Sequence, residues 1–259
     1  MTIDTAVIDA RPAGMTREEW VARLELAACY RLFDWLGWTT LIYNHISLRV
    51  PGTTDQFLIN PFGLNYDEVT ARNLLRIDVE GRKLCDSPHP VNAAGFVIHS
   101  AIHAARADAH CIAHTHTTAG MAVACKQQGL RHDNFNSALL YGQVAYHDFE
   151  GVTTDPGEKP RLVRSLGDKP VLILRNHGLL VATASVPQTL ALMFTLQKAC
   201  EVQVAADALA GPGLPIGPEV LQAIPAQNAA IAAASAAPGR LVFDACVRRA
   251  RIDYAVLAG

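Results

Sequence analysis

Three histidines have the residue type and the spacing of a metal site. His114 and His116 lie two positions apart at the end of the short apolar segment 111–115. Residues two apart on a strand point to the same side, so both imidazoles can reach one ion. A third ligand must come from elsewhere, and His177 is the best candidate because Gly178 lets the backbone bend close to a ligand. Three neutral imidazoles and an open position describe a catalytic metal site, although an HxH pair alone is more often two polar residues at a strand end.

The elements that must hold these histidines follow from periodicity. Helical spacing and capping residues predict long helices after Thr16, Asn92 and Ser185. Glu201, on the last of these helices, is predicted to be solvated. Alternating and short apolar runs predict strands at 45–50, 56–60, 75–79, 82–85, 111–115, 144, 152, 171–174 and 179–183. Strands with helices between them, together with hairpins, predict an α/β sandwich around a mixed sheet.

Length and composition favour a single soluble domain. The chain has 259 residues, 50% of them hydrophobic, and a formal net charge of −2 without a basic block. Nucleic-acid and membrane-surface partners are therefore not indicated. The six cysteines are scattered without a CxxC pair, which favours a cytoplasmic protein over a disulfide framework. Residues 1–15 are predicted to be a flexible lead, 16–210 the domain, and 211–259 a helical tail on the same domain or a neighbouring subunit.

Several motifs together resemble the class II aldolase/adducin family, particularly its adducin head-domain branch and the bacterial relatives of that branch. The resemblance covers roughly residues 18–210. It is carried by the segments Tyr43-Asn44-His45-Ile46 through Phe62-Gly63-Leu64, Ala94-Gly95-Phe96 to His99-Ser100-Ala101-Ile102, His114-Thr115-His116, and Val171-Leu172-Ile173-Leu174-Arg175-Asn176-His177-Gly178.

The resemblance implies a fold, an assembly and a cofactor. Members of this family have a three-layer α/β/α sandwich around a mixed, largely antiparallel sheet. They often form cyclic tetramers with active sites between subunits. The metal ligands would be His114, His116 and His177, with zinc the expected ion and manganese or iron as alternatives.

Two departures from the family pattern bear on the reaction. Family aldolases carry Glu, and the sugar-phosphate epimerases Asp, at the position of Gly95. The aldolases also place serines just before it to hold a substrate phosphate, whereas this chain has Val91-Asn92-Ala93-Ala94. A sugar-phosphate substrate is therefore disfavoured. His99, one turn after Gly95 on the same helix face, is a candidate substitute acid/base, although a packed helix histidine is equally consistent with the pattern.

The resemblance also indicates residues around the substrate. Candidate catalytic groups besides His99 are His45, at a strand start that lines the family's pocket, and Tyr141, which with His132 lies on a loop of the kind that crosses subunit interfaces in the family. The candidate substrate-binding residues are Asn44, Asn60, Gly63 and Asn92.

Three functions remain open at this point. The first is a divalent-metal-dependent lyase that performs a retro-aldol cleavage or a decarboxylation on a small, non-phosphorylated oxygenated acid or aldehyde, through a metal-stabilised enolate or carbanion. The second is a non-catalytic, adducin-like interaction module. The third is an oxygenase in which the same three histidines hold non-haem iron.

Overall fold

A seven-stranded sheet is the centre of the molecule. The structure is a computed structural model that describes residues 3–152, 155–235 and 237–259. The strand order is β3-β2-β1-β4-β7-β6-β5. Every neighbouring pair is antiparallel except β5 and β6, which are parallel. The strands are β1 (His45–Arg49), β2 (Gln56–Ile59), β3 (Leu75–Asp78), β4 (Cys111–Thr115), β5 (Val144–His147), β6 (Val171–Leu174) and β7 (Gly178–Thr183). This confirms the predicted mixed, largely antiparallel sheet.

Helices cover both faces of the sheet. One face packs against α2, α4 and α7, with α9 packed on α2 and α7, and the other face packs against α3 and α6. The helices are α1 (Thr5–Asp9), α2 (Arg17–Trp35), α3 (Ala93–Ala105), α4 (Thr118–Ala124), α5 (Phe135–Leu139), α6 (Lys159–Leu166), α7 (Val186–Asp207), α8 (Pro218–Ala233), α9 (Arg240–Arg249) and α10 (Tyr254–Ala258). The three-layer α/β/α sandwich is therefore confirmed.

Strand β1 shows how the sequence assigns residues to the two layers. Ile46 and Leu48 point to the α2 side and join the largest apolar core. His45, Ser47 and Arg49 alternate with them and point to the α3 side, because successive side chains on a strand face opposite ways. All five residues are buried. The α3 side of this central strand is therefore polar inside the protein, and its groups need partners there.

Helix ends follow the capping residues that the sequence indicates. The Thr16 hydroxyl accepts a hydrogen bond from the Glu19 amide at 3.1 Å at the start of α2. The Asn92 side chain accepts one from the Gly95 amide at 3.3 Å at the start of α3. Each cap satisfies one of the backbone donors that the first turn of a helix leaves free. The start of α3, which carries Gly95 and His99, is thereby defined.

Some predicted strands are absent. Residues 82–85 form only an isolated bridge between Ile77 and Lys83. Two backbone hydrogen bonds, from the Asp78 amide to the Arg82 carbonyl at 3.1 Å and from the Leu84 amide to the Arg76 carbonyl at 2.8 Å, join this segment to β3 without forming a strand. The Asp78 carboxylate also accepts hydrogen bonds from the Arg82 amide at 2.9 Å and the Arg82 side chain at 2.6 Å, which stabilise the turn. Val152 lies in a bend and not in a strand.

Two short helices form where the sequence indicated none. Within the predicted lead, α1 packs onto α2, since the Trp20 indole N–H donates to the Val7 carbonyl at 2.9 Å and Ile8 is buried. In the predicted loop that carries His132 and Tyr141, α5 forms after its N-cap Asn134, whose side chain and that of Ser137 form a reciprocal cap. In both cases contacts and caps stabilise helices too short to be stable alone.

The last segment of the chain packs on the same domain. Phe243 and Val247 of α9 and Leu257 of α10 are buried in the apolar core that includes α2. Arg240 forms an ion pair with Glu25 at 2.6 Å. Helix α8 is mostly exposed. Within the described residues, no helix has the length and apolar character needed to cross a membrane.

Candidate metal centre

His114 is the fully buried member of the predicted triad. It lies in β4 and pairs with Leu180 of β7 across the ladder. Its Nδ1 atom is 2.9 Å from the carbonyl oxygen of Leu179. A carbonyl oxygen only accepts hydrogen bonds, so Nδ1 carries the ring proton and Nε2 keeps a lone pair. This is the tautomer in which a histidine binds a metal through Nε2.

The other two histidines come from turns at the same edge of the sheet. His116 follows the end of β4, and His177 lies in the turn between β6 and β7. Asn176, before it, has a left-handed φ of 56°, which asparagine tolerates better than most residues. The Asn176 amide donates to the Ala124 carbonyl at 3.1 Å, so the turn is held against α4. Asn176 thus supports the turn that carries His177.

The three imidazoles converge at their Nε2 atoms. The His114 Nε2 atom lies 2.7 Å from that of His116 and 3.2 Å from that of His177. All three ligand atoms lie within 4.8 Å of one another, and among the described residues this is the group with a geometry suited to a metal. Two nitrogens bound to one tetrahedral zinc lie about 3.3 Å apart. The 3.2 Å pair matches that spacing, while His116 has to move outward slightly to share an ion.

Burial keeps these imidazoles uncharged. Desolvation lowers the pKa of His114 well below its ordinary value, and the nearby His177 and His116 lower it further. Burial and the proximity of His116 lower the pKa of His177 to about 4. Burial also lowers the pKa of His116. At neutral pH the three rings are neutral, which is the form that binds a divalent ion, so the donor set fits zinc, manganese or iron.

Gly178 permits the close approach of the turn to β4. A Cβ atom at this position would lie 2.3 Å from the Thr115 carbonyl oxygen, 3.1 Å from the His116 Cδ2 atom and 3.3 Å from the His114 Cε1 atom. The first distance is far inside van der Waals contact. The absence of a side chain at Gly178 is therefore what lets His177 meet the other two histidines.

Two of the predicted catalytic residues lie beside the triad. The His45 ring is 5.0 Å from the His114 ring, measured between centroids, because the two residues are opposite each other in the β1–β4 ladder. The His45 Nδ1 atom is 2.8 Å from the Nε2 atom of His99. His45 thus lies between His99 and the triad.

Gly95 leaves the space that His45 fills. A Cβ atom on Gly95 would lie 2.7 Å from the His45 Cδ2 atom and 2.9 Å from its Cγ atom. An acidic side chain at position 95 and an imidazole at position 45 in this rotamer exclude each other. The residue that departs from the aldolase pattern and the histidine beside the triad are therefore sterically coupled.

The predicted substrate-binding residues are only partly near this site. Asn92 caps α3 beside Gly95. Asn60 lies on the opposite side of the sheet, where its Oδ1 atom accepts a hydrogen bond from the Tyr30 hydroxyl at 3.0 Å. Asn44 is buried and accepts a hydrogen bond from the Thr40 amide at 2.6 Å. Gly63 adopts a left-handed φ of 105° in the turn after β2.

Tyr141 lies apart from the triad within one chain. Its ring contacts that of His132, with centroids 5.3 Å apart. The His132 Nδ1 atom is 2.6 Å from the Ser137 carbonyl oxygen. None of the contacts between described residues links Tyr141 to His114, His116 or His177.

A polar cavity beside His116 contains residues that the sequence did not identify. Its volume is about 350 Å³. Partial burial raises the pKa of Glu201, but hydrogen bonds from Lys198 and Gln197 outweigh it and lower that pKa, so the carboxylate is ionised. The sequence signal was weak: Gln197 and Glu201 are two polar residues four positions apart on α7. The polar residues that line the cavity are Thr39, Thr40, His116, Thr117, Thr118, Gln197 and Glu201.

Replacing Gly178 by alanine tests the convergence of the three histidines. Because the new methyl group overlaps the Thr115 carbonyl, we expect Gly178→Ala to weaken zinc binding at least about tenfold and to lower the free energy of unfolding by about 1–3 kcal/mol. Competition with a chromogenic chelator and urea denaturation measure the two effects. The control is Gly213→Ala, since no atom lies within 4 Å of the added methyl group. Equal zinc affinity in the two variants would show that the close approach is not required.

Sequence comparison identifies relatives over most of the chain. One relative is a protein of Pseudomonas aeruginosa whose name refers to the class 2 aldolases. It is 51% identical to this chain over 194 residues, and the match covers 75% of this chain and 74% of the relative. Rat α-adducin is 48% identical over 197 residues. That match covers 74% of this chain and only 26% of the adducin.

Solved structures agree with this relationship. An aldolase II superfamily protein from Pseudomonas syringae superposes with a TM-score of 0.85 at 42% identity, covering 92% of this chain and 94% of that one. L-fuculose 1-phosphate aldolase from Glaciozyma antarctica superposes with a TM-score of 0.73 at 31% identity, covering 86% and 88%. The family model described as "Class II Aldolase and Adducin N-terminal domain" matches residues 24–204. The chain therefore belongs to the class II aldolase and adducin N-terminal domain family.

Proposed function

We propose that this protein is a divalent-metal-dependent lyase. Its reaction would be a retro-aldol cleavage or a decarboxylation of a small, non-phosphorylated oxygenated acid or aldehyde. The observation that carries the proposal is the convergence of the Nε2 atoms of His114, His116 and His177, with the tautomer of His114 already set for metal binding. A divalent ion held by these nitrogens, most simply zinc, supplies a Lewis acid that polarises a carbonyl group.

The cavity beside His116 supports a substrate without phosphate. Among the described residues that line it, none is lysine or arginine. Its polar groups include threonine hydroxyls, the His116 imidazole, the Gln197 amide and the ionised Glu201 carboxylate. Phosphate sites in proteins usually provide a cation, and the nearest one here, the Lys198 ammonium group, is paired with the Glu201 carboxylate at 2.6 Å. Hydroxyls and amides instead suit the hydroxyl groups of a small oxygenated acid.

A substrate hydroxyl group loses a proton when the carbon–carbon bond breaks. His45 and His99 are our candidates for the groups that accept this proton. His45 is the nearer of the two to the triad. His99 contacts it from the α3 side, with ring centroids 4.5 Å apart. Burial lowers the pKa of His99 well below its ordinary value, so it is neutral and able to accept a hydrogen bond from His45. These two rings would take the place of the acidic residue that Gly95 replaces.

We propose that the active unit is a homotetramer with sites between subunits, in which Tyr141 serves the triad of a neighbouring copy. Within one chain Tyr141 contacts His132 and not the triad. None of the hydrogen bonds between described residues involves its hydroxyl, so the group is available to another molecule.

All six cysteines are unpaired, which supports a reducing, cytoplasmic location.

Two alternatives keep the fold and change the function. The first alternative is a non-catalytic interaction module, for which the 48% identity to α-adducin, over 26% of that protein, gives only weak support. Such a module has no need of three convergent, neutral imidazoles, one of which is fixed in its metal-binding tautomer. The same donor set also suits ferrous iron, which would point to an oxygenase.

Assays on matched substrates test the proposed reaction. The zinc-loaded protein is incubated with short hydroxy acids and hydroxy aldehydes, each with and without a phosphate group, and the aldehyde or carbon dioxide released is measured. We expect cleavage of a non-phosphorylated compound, at least about tenfold faster than of its phosphorylated counterpart, and a loss of at least about 100-fold in His177→Ala. The exposed His110, replaced by alanine, is the matched control.

Two results would contradict the proposal, one from this assay and one from measuring oxygen uptake by the iron-loaded protein on the same compounds. Absence of cleavage by protein that carries one metal ion per chain would favour the interaction module. Oxygen uptake that depends on iron would favour the oxygenase.

Complementation tests the contribution of Tyr141 across an interface. Tyr141→Phe and His177→Ala are expected to be nearly inactive when each is expressed alone. When they are co-expressed, mixed assemblies contain sites that combine an intact triad from one chain with an intact Tyr141 from the next, and about a quarter of wild-type activity should return. If Tyr141 served its own triad, no mixed assembly would regain activity.

A further inference from the structure

A continuous buried chain of hydrogen bonds joins α3 to β1. It begins at the Ala109 carbonyl oxygen, 3.0 Å from the His103 Nδ1 atom. The His103 Nε2 atom is 2.7 Å from the Ser47 hydroxyl, which is 2.5 Å from the His99 Nδ1 atom. The His99 Nε2 atom is 2.8 Å from the His45 Nδ1 atom. The four side chains are at most 2% exposed, so water does not replace any of these contacts.

The carbonyl at one end determines the direction of every hydrogen bond in the chain. Because the Ala109 carbonyl only accepts, His103 carries its proton on Nδ1 and accepts at Nε2 from the Ser47 hydroxyl. The single proton of Ser47 is then used, so its oxygen accepts from the His99 Nδ1 atom. The neutral His99 ring has a lone pair on Nε2, which accepts from the His45 Nδ1 atom. The last ring, His45, is therefore left with a lone pair on Nε2.

The surroundings keep His99 and His103 neutral, which the direction requires. Burial lowers the pKa of His99 well below its ordinary value. For His103, burial and the nearby Arg49 guanidinium lower the pKa to about 3. Arg49 also donates to the His103 carbonyl oxygen at 2.6 Å, so a fixed positive charge already lies at this end. A second positive charge, on a histidine within this chain of hydrogen bonds, is therefore disfavoured.

We propose that Ser47 and His103 are positioning residues that hold the His45 proton on Nδ1, so that its Nε2 atom is a permanent hydrogen-bond acceptor beside the metal triad. The His45 ring lies against His114 but outside the group of three converging ligands. None of the hydrogen bonds between described residues uses its Nε2 atom. An acceptor at this position pairs with a hydroxyl group and not with a carbonyl or carboxylate oxygen. This choice of a hydroxyl-bearing substrate rests on the proposed lyase function; the tautomer of His45 does not.

The proton positions in the wild-type protein test the direction of this chain of hydrogen bonds. Nitrogen-15 NMR of the zinc-loaded protein, labelled only at histidine, distinguishes protonated from unprotonated ring nitrogens. The signals of His45, His99 and His103 are identified by their loss in single glutamine variants. We expect all three rings to carry their proton on Nδ1. A proton on Nε2 of His45 would overturn the proposal, whether or not the protein cleaves any substrate.

Variants of Ser47 separate positioning from packing. Ser47→Ala removes the acceptor for the His99 Nδ1 proton, and a buried donor without a partner is unfavourable. The proton should therefore move to His99 Nε2, which then donates to His45 Nδ1, so that both rings become protonated on Nε2. Ser47→Thr keeps the hydroxyl and should keep the wild-type pattern. Unchanged tautomers in a folded Ser47→Ala protein would overturn the role of Ser47.

His103→Phe gives a second test from the other end of the chain. Without the His103 acceptor, the Ser47 hydroxyl is free to donate to His99, and the same reversal should appear at His45. The wild-type spectrum decides the proposal even if neither variant folds. Because the readout is a proton position, a failure of the tautomer proposal is distinct from a failure of the lyase proposal.

Discussion

The hydrogen bond between the His114 ring and the Leu179 carbonyl is the contact on which the candidate site depends. It exists because β4 and β7 are neighbours in the sheet, with Thr115 opposite Leu179. The same pairing brings the turn after β6 over the end of β4, where Gly178 permits the approach. Sheet pairing therefore sets both the tautomer of one ligand and the position of another. A shift of one residue in this register would turn His114 to the opposite face.

The polar side of β1 connects the metal site to the interior. Apolar clusters lie on both sides of it, one around Ile98 and Ile112 and the other around Phe57 and Ile77. An unpaired buried polar group costs about 1–3 kcal/mol. The hydrogen-bonded chain from Ala109 to His45 provides a partner for each ring nitrogen in it except Nε2 of His45, so the protein tolerates three buried histidines between α3 and β1. The same hydrogen bonds that give these buried polar groups their partners also determine which ring nitrogens carry protons. A structural role and an effect on the metal site are therefore compatible.

Local patterns predicted the sandwich and the pair His114 and His116, since strand parity alone puts two such residues on one face. His177 was a weaker prediction, because nothing local links it to β4; the resemblance to the family supplied that link. The sequence did not reveal the pairing of His45 and Ser47 with His99 and His103. That pairing depends on how α3 packs across β1, which is a non-local contact. Glu201 was predicted to be solvated, and its place beside the His116 cavity likewise depends on tertiary packing.

Metal content tests the central claim, that the three histidines form one metal site, most directly. Elemental analysis of the purified protein is compared with that of His177→Ala, with His110→Ala as the control at an exposed histidine. The account predicts about one zinc, manganese or iron per chain in wild type and control, and almost none in His177→Ala. Wild-type protein that retains no metal after loading with excess ions would contradict the metal site and leave the adducin-like module as the better account.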